Sequence, residues 1–375
     1  MKIRAAVLET MGVPRPYVDS KPLVISELDL EAPGPGELLV KIHAAGLCHS
    51  DLSVIDGNRP RPVPIALGHE ASGVVEAVGA NVTRFSPGDH VVLVFVPSCG
   101  QCLPCAAGRP ALCELGAAAN GQGTLLSGAK RLRCGDQEIH HHLGVSAFAD
   151  YVTVAQQSAV RIDPAFDLTK AALFGCAVLT GVGAVVNTGA APPGSSVAIV
   201  GLGGVGLCGL LGAHVSGARQ IIAVDLSDEK LQLAAELGAT HTFNARADDV
   251  VDAIRDASVG GVEFAFEMAG SVPAPELAYN VTRRGGTTVS TGLPHPERRL
   301  EIPAASLVAE ERTLKGSYIG ACVPSRDLLR YMSLYEQGRL PVDRLLSGKL
   351  ELDDINAGFD TLADGIAVRQ VIILG

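Results

Sequence analysis

Up to about residue 174, apolar positions come in short runs cut by Gly and Pro. Leu38-Leu39-Val40-Lys41-Ile42 and the segments 72–78 and 90–95 read as strands, and residues 1–9 as the first of them. This part of the chain is therefore expected to be β-rich with long loops. The segment 115–128 has neither a helical nor a strand period. It is small and glycine-rich, and reads as a surface excursion. Near Cys176 the texture changes to alternation. Strands at 196–200, 220–224, 240–243, 262–266, 287–291 and 313–318 are separated by helical patterns at 205–216, 228–237, 248–256 and 275–282. Strands alternating with helices predict a doubly wound parallel sheet. After Ala321 a helix capped by Ser325 carries Leu328, Leu329, Met332 and Tyr335 on one side. A second, capped by Asp353, carries Ile355, Phe359 and Leu362 and closes at Gly365, before a last strand over 371–374.

These changes predict a β-rich domain over 1–177, a parallel-sheet domain over 178–320, and a tail over 321–375 that returns to the first. At 375 residues the chain is long for one core. Its 47% hydrophobic content and 43 glycines suit a compact α/β protein. A formal net charge of −10 with no basic run argues against nucleic acid or an anionic membrane as partner. The absence of Trp argues against base-stacking platforms. Residues 1–9 lack the apolar core of a signal peptide, so a cytoplasmic protein is expected, and its nine Cys are read as metal ligands or free thiols. The apolar run 197–215 is long enough to suggest a membrane span. Its glycines and the acidic stop at Asp225 fit a buried strand, turn and helix better.

Three groups of residues carry chemistry. Gly201-Leu202-Gly203-Gly204-Val205-Gly206 follows a strand, opens a helix and meets Asp225 at the end of the next strand. In that setting the glycines let backbone N–H groups approach a pyrophosphate, and Asp225 accepts from a ribose diol and repels a 2′-phosphate. That favours NAD over NADP. Cys99, Cys102, Cys105 and Cys113 fall within fifteen residues, in a lobe spanning 97–114. Four thiolates at this spacing close on one structural zinc, and the last gap is too long for a bacterial ferredoxin run. Between Cys48-His49-Ser50-Asp51 and Gly68-His69-Glu70 lie a thiol and an imidazole, each followed by a carboxylate. A catalytic metal needs a further ligand, and Cys176 is the best placed of the unexplained cysteines. Cys134, Cys208 and Cys322 read by default as buried thiols. His140-His141-His142 reads as a loop or strand edge.

Gly68-His69-Glu70-x2-Gly73-x5-Gly79-x2-Val82, the four-Cys lobe, the glycine turn with Asp225 and Arg369 resemble, in that order, the zinc-dependent medium-chain alcohol dehydrogenase family. The likeness covers essentially the whole chain, and its length points to the long, liver-type or thiol-dependent formaldehyde dehydrogenase form. It implies a GroES-like catalytic domain beside a Rossmann domain, two zincs per chain, NAD, and a homodimer. Cysteine-two-histidine-one ligation is a known pattern of these enzymes, and it implies catalytic zinc on Cys48, His69 and Cys176. Asp51 would hold the His69 imidazole, and Glu70 would be either an outer partner or a transient ligand of the metal. Ser50 matches the hydroxyl that accepts the alcohol proton, and His49 a residue that meets the pyrophosphate. Thr180, Lys230 and Arg369 match cofactor contacts. Phe95, Leu143, Leu293 and Arg59 match positions lining the substrate pocket. Two residues depart from the liver pattern. The relay His is replaced by Ser53, leaving water or His49 as the proton's exit, and Arg59 either sits at the solvent rim or favours substrates with a distal acceptor or carboxylate. The activity implied is interconversion of primary or aromatic alcohols and aldehydes. The alternatives are oxidation of a hydroxymethyl thiol adduct and, from another class, a non-catalytic NAD-binding protein.

Overall fold

The computed structural model describes residues 1–375. They pack as two units, one made of Met1–Cys176, Val323–Leu329 and Val342–Gly375, the other of Ala177–Cys322 and Arg330–Pro341.

The first unit is built from the short apolar runs. Lys2–Leu8, Leu23–Leu30, Leu132–Cys134, Gln137–His141 and Ile65–Ala66 close into a small barrel. A second sheet runs in the order Ala159–Arg161, His90–Leu93, Ala71–Val78, Glu37–Gly46, Arg369–Ile373 and Leu346–Leu350, with Tyr151–Ala155 also paired to Glu37–Gly46. The last strand of the chain thus lies antiparallel to Glu37–Gly46, with Val371 opposite Gly46. Ala44, Ala172, Leu173 and Val371 form a buried cluster beside that pairing.

The second unit has six parallel strands in the order His241–Asn244, Gln220–Asp225, Ser196–Val200, Val262–Glu267, Thr282–Ser290 and Thr313–Gly316. Numbered along the chain this order is 3-2-1-4-5-6, the doubly wound arrangement whose ligand crevice opens where the order reverses. Ser196–Val200 lies at that reversal. Its side chains are buried on both faces, so it reads as a continuous apolar run. Ala198, Val200, Ile222, Val224, Ile254 and Ala278 share one core, which fastens the helices Val250–Ala257 and Pro273–Val281 to the sheet.

The expected alternation of strands and helices over 196–318 is present, with ends displaced by a few residues. The helix expected over 248–256 runs Val250–Ala257, and the strand expected over 287–291 begins earlier, at Thr282. One expectation is overturned. Glu114–Gln122, inside the supposed excursion, is an α-helix. Its thiol cap Cys113 accepts from Gly116 N, and Asn120 Nδ2 donates to the Phe95 carbonyl at 2.9 Å. Those two anchors replace the apolar stripe that sequence periodicity requires. No single helix is long and apolar enough to cross a membrane. The apolar run 197–215 is the buried strand Ser196–Val200 followed by the helix Gly204–Val215.

Candidate active site and dinucleotide turn

Cys48 caps the helix His49–Ile55 in extended conformation, which places its side chain one turn from that of Asp51. His69 sits in the connection between the strands Ile65–Ala66 and Ala71–Val78. Cys176 lies between the turn Ala172–Phe174 and the helix Ala177–Gly183. The two sulfurs and a ring nitrogen fall within 4.8 Å of one another, and all three residues are buried. His69 Nε2 is 3.4 Å from Cys176 Sγ, while its Nδ1 is 2.9 Å from Asp51 Oδ2. Asp51 Oδ1 accepts from Gly68 N at 3.1 Å. Gly68 has φ +95, and a Cβ there would strike the Phe148 and Ala147 nitrogens. Only glycine can therefore bring this N–H to the carboxylate.

The electrostatics match a site for a cation. A hydrogen bond from Cys176 is the largest influence holding the Cys48 thiol well below its ordinary pKa, and His69 adds to it against the opposing effect of burial. Burial disfavours a charged His69, yet the Asp51 carboxylate and the Cys48 thiolate together raise the imidazole to about 10. Burial raises Asp51. Two soft thiols and an imidazole, buried and converging, with a carboxylate on the far ring nitrogen, are a donor set and outer partner that fit zinc.

Glu70 does not reach the cluster as a free carboxylate. It is fully buried and ion-paired with Arg369 on the strand Arg369–Ile373. The sequence reading did not assign that pair. His49 is exposed at the start of its helix, and Ser50 beside it is half-buried. Ser53 Oγ donates to the His49 carbonyl at 2.8 Å. The Phe95 ring stands edge-on to His69 at 5.2 Å, and Leu143 is buried next to His142. Arg59 is half-buried and donates its backbone N–H to the Ser53 carbonyl. Leu293, in the other unit, is 48% exposed.

The sequence reading missed His142. Together with His141 it is buried, which the loop or strand-edge reading does not account for. Its Nε2 lies 3.4 Å from Asp51 Oδ1, and its ring stands edge-on to His69 at 5.8 Å. The only signal in the sequence was a run of three histidines, and which of them turn inward depends on where the strand Gln137–His141 ends.

The four lobe cysteines also bring their sulfurs within 4.8 Å. Cys99 N and Gly116 N donate to Cys113 Sγ, and Gln101 N and Cys102 N point at Cys99 Sγ. The backbone donors of Gln101 and Cys102 lower Cys99 to about 6, whereas burial pushes Cys105 up to about 12. Such N–H···S contacts stabilise thiolates, the form that binds metal.

In the second unit, Gly201 has φ +93, and a Cβ there would strike Ala269. A Cβ on Gly206 would overlap the Gly201 carbonyl, whereas one on Gly203 would meet only open space. Two of these glycines thus serve the turn and its packing, and the third leaves the helix N-terminus uncovered. Gly204 and Val205 open the helix itself. Asp225 accepts from Leu202 N at 2.6 Å and Ser227 N at 3.0 Å. Lys230 lies in the next helix, Asp228–Glu236, and Thr180 in Ala177–Gly183, both half-buried. Glu267, also buried, accepts from Ala269 N, Gly270 N, Ser290 Oγ and Gly292 N, tying together the loops after two neighbouring strands.

Residues 34–164 match the family model of the alcohol dehydrogenase GroES-like domain, and residues 204–337 that of the zinc-binding dehydrogenases. The chain is 40% identical to putative alcohol dehydrogenase D of Mycobacterium tuberculosis over 377 aligned positions, covering 100% of both. It is 38% identical to the NDMA-dependent alcohol dehydrogenase of Amycolatopsis methanolica, covering 100% of this chain and 99% of that one. Among solved structures, benzyl alcohol dehydrogenase from Acinetobacter calcoaceticus superposes with a TM-score of 0.93 at 33% identity over 100% of both chains.

Proposed function

Since the chain belongs to the zinc-dependent medium-chain alcohol dehydrogenase family and is an oxidoreductase acting on alcohols, we propose that it interconverts primary or aromatic alcohols and their aldehydes with NAD and two zincs per chain. The observation that carries this reading is the buried Cys48, His69 and Cys176 cluster with Asp51 behind the imidazole. Zinc, when bound, supplies Lewis-acid polarisation of the alcohol oxygen.

The chain's own residues do the rest. Asp51 fixes the His69 ring by taking its Nδ1, leaving Nε2 to the metal side. Ser50 takes the alcohol's proton, and His49, exposed at the start of the same helix, passes it to solvent. Ser53 is no substitute, because its hydroxyl is committed to the His49 carbonyl. Phe95 and Leu143 supply an apolar wall in the first unit, which suits an aromatic or alkyl alcohol. In the second unit the uncovered helix N-terminus at Gly203 takes the pyrophosphate and Asp225 the ribose diol. Nine free cysteines suit a reducing compartment, so we place the protein in the cytoplasm; the homodimer is carried over from the family resemblance.

The relatives' names favour this reading over the thiol-adduct and non-catalytic alternatives. The test is metal analysis of the purified protein together with a turnover panel. Benzyl alcohol and a primary alkanol are assayed with NAD, with NADP, with NDMA as acceptor, and with added thiol. Two zincs and thiol-independent NAD reduction are expected. Cys176→Ala should retain one zinc and lose activity by about a thousandfold or more. One zinc in the wild type, or turnover of formaldehyde only with added thiol, would sink the proposal.

A further inference from the structure

Asp51 has a second imidazole beside it. His69 Nδ1 takes one carboxylate oxygen at 2.9 Å, and His142 Nε2 stands 3.4 Å from the other. All three residues are essentially inaccessible to solvent, His142 at 1% and the other two at 0%. Neither ring nitrogen of His142 has a formed hydrogen bond, so Asp51 Oδ1 is the polar atom within reach of Nε2. A buried imidazole with no partner costs about 1–3 kcal/mol for each unsatisfied nitrogen, so packing alone is a poor reason for placing one here.

The backbone holds this ring firmly. His142 N donates to Ser146 Oγ at 2.8 Å, and Ser146 Oγ donates in turn to the Ala66 carbonyl at 2.8 Å. Leu143, Gly144 and Ser146 all have positive φ, at 52°, 68° and 55°. Two of them are not glycine, and such a conformation persists only where the surroundings impose it. The result is a tight turn that brings His142 Nε2 to Asp51 Oδ1, the oxygen that also accepts from Gly68 N. A buried imidazole nitrogen facing a carboxylate oxygen at this distance serves it as an N–H donor.

We propose that His142 is a positioning residue, a second N–H donor to Asp51 that locks the carboxylate so that it aims His69 at the zinc. With Gly68 N–H and His142 Nε2–H on Oδ1 and His69 Nδ1–H on Oδ2, the carboxylate has donors on both oxygens. It cannot then swing away from the ligand. This rests on the zinc reading above and extends it by one shell. Outer partners of this kind typically govern metal affinity by about 10–100-fold.

The test uses the purified holoenzyme and follows zinc release to a chromophoric chelator. Zinc in the four-cysteine lobe of the same molecule is the internal reference. His142→Phe keeps the edge-on ring contact and removes the donor. His142→Gln keeps a donor long enough to reach Asp51, and His142→Asn carries the same amide on a shorter stem. Release of one zinc per chain should quicken about 10–100-fold in the Phe and Asn variants and stay within about threefold of wild type in Gln, with the lobe zinc unchanged. The visible spectrum of the cobalt-substituted protein should shift in Phe and Asn and not in Gln. Should the Phe variant fail to fold, the Asn and Gln pair decides. Equal release from wild type and Asn, or equal acceleration in Asn and Gln, overturns the proposal. If the wild type holds a single zinc per chain, the ligand assignment fails and this inference with it. Two zincs with no variant effect defeat this inference alone.

Discussion

Asp225 ends the strand Gln220–Asp225, and each of its carboxylate oxygens already accepts a backbone N–H, from Leu202 and from Ser227. Those bonds fix its rotamer and leave lone pairs for a ribose diol, while its charge opposes a 2′-phosphate. Asp225→Asn removes the charge but also forces an amide NH2 against one of the two donors, so absolute rates will fall for that reason as well. The ratio of kcat/KM for NADP to that for NAD cancels the common loss. It should rise by about 10–100-fold, the worth of a charged hydrogen bond. Steady-state kinetics with both cofactors measure it, and an unchanged ratio would free Asp225 from the discrimination. Residues such as Asp225, Cys48 and His69 were legible in the sequence because chemistry and spacing coincide within one strand, turn or helix. Cys176 needed the inference of a missing ligand. The contacts of His142 with Asp51 and of Arg369 with Glu70 were not legible. Each joins distant parts of the chain, and neither partner has a spacing that points to the other.

The four-cysteine lobe shows the same limit at the scale of an element. The ligand spacing was plain in the sequence, while the helix Glu114–Gln122 behind it was not. Alanine and glycine give that helix no apolar stripe, and its start is set by a thiol, Cys113, that also belongs to the cluster. Asn120 then ties the helix to the Phe95 carbonyl, and Phe95 packs against His69. The lobe, this helix and one wall of the site are thus connected by named contacts. Cys105→Ala should remove one zinc per chain. It should also lower the melting temperature by about 5–10 °C, from a loss of a few kcal/mol at about 2–4 °C per kcal/mol for a unit of this size. Metal analysis with calorimetry checks both, and retention of two zincs would remove Cys105 from the ligand set. The central strands Ser196–Val200 and Gln220–Asp225 were legible because they are buried on both faces, whereas the edge strands His241–Asn244 and Thr313–Gly316 are largely exposed and were read from the alternation of elements. Helix ends were less so, since a cap displaced by one or two residues leaves the apolar pattern intact.

Acid sensitivity belongs to the whole molecule, and here the buried histidines act in a pH window above that of the paired carboxylates. His141 is buried, and its Nε2 accepts the backbone N–H of Arg131 at 3.0 Å. Burial, and then the Arg131 charge, lower its pKa from 6.5 to about 3. The ring is therefore neutral in the folded protein, while in the unfolded chain it takes up a proton below about pH 6.5. The unfolded state binds more protons throughout that window, so stability is complete above it and is lost as pH falls toward 3. Between pH 7 and 5 this linkage removes about 2 kcal/mol. The paired carboxylates act lower. Asp360 and Glu138 are depressed from 3.8 and 4.5, so their contributions are lost only as pH falls below those values. His142 is depressed like His141 and contributes in the same direction. His141→Gln offers a carbonyl oxygen to the Arg131 N–H and has no group that titrates. Its stability should consequently fall about 2 kcal/mol less than that of wild type between pH 7 and pH 5. Urea unfolding of both proteins at the two pH values reads that difference directly, and zinc loss common to both cancels from it. Parallel decline of the two proteins would mean that His141 is protonated in the fold, and that the Arg131 N–H has another acceptor.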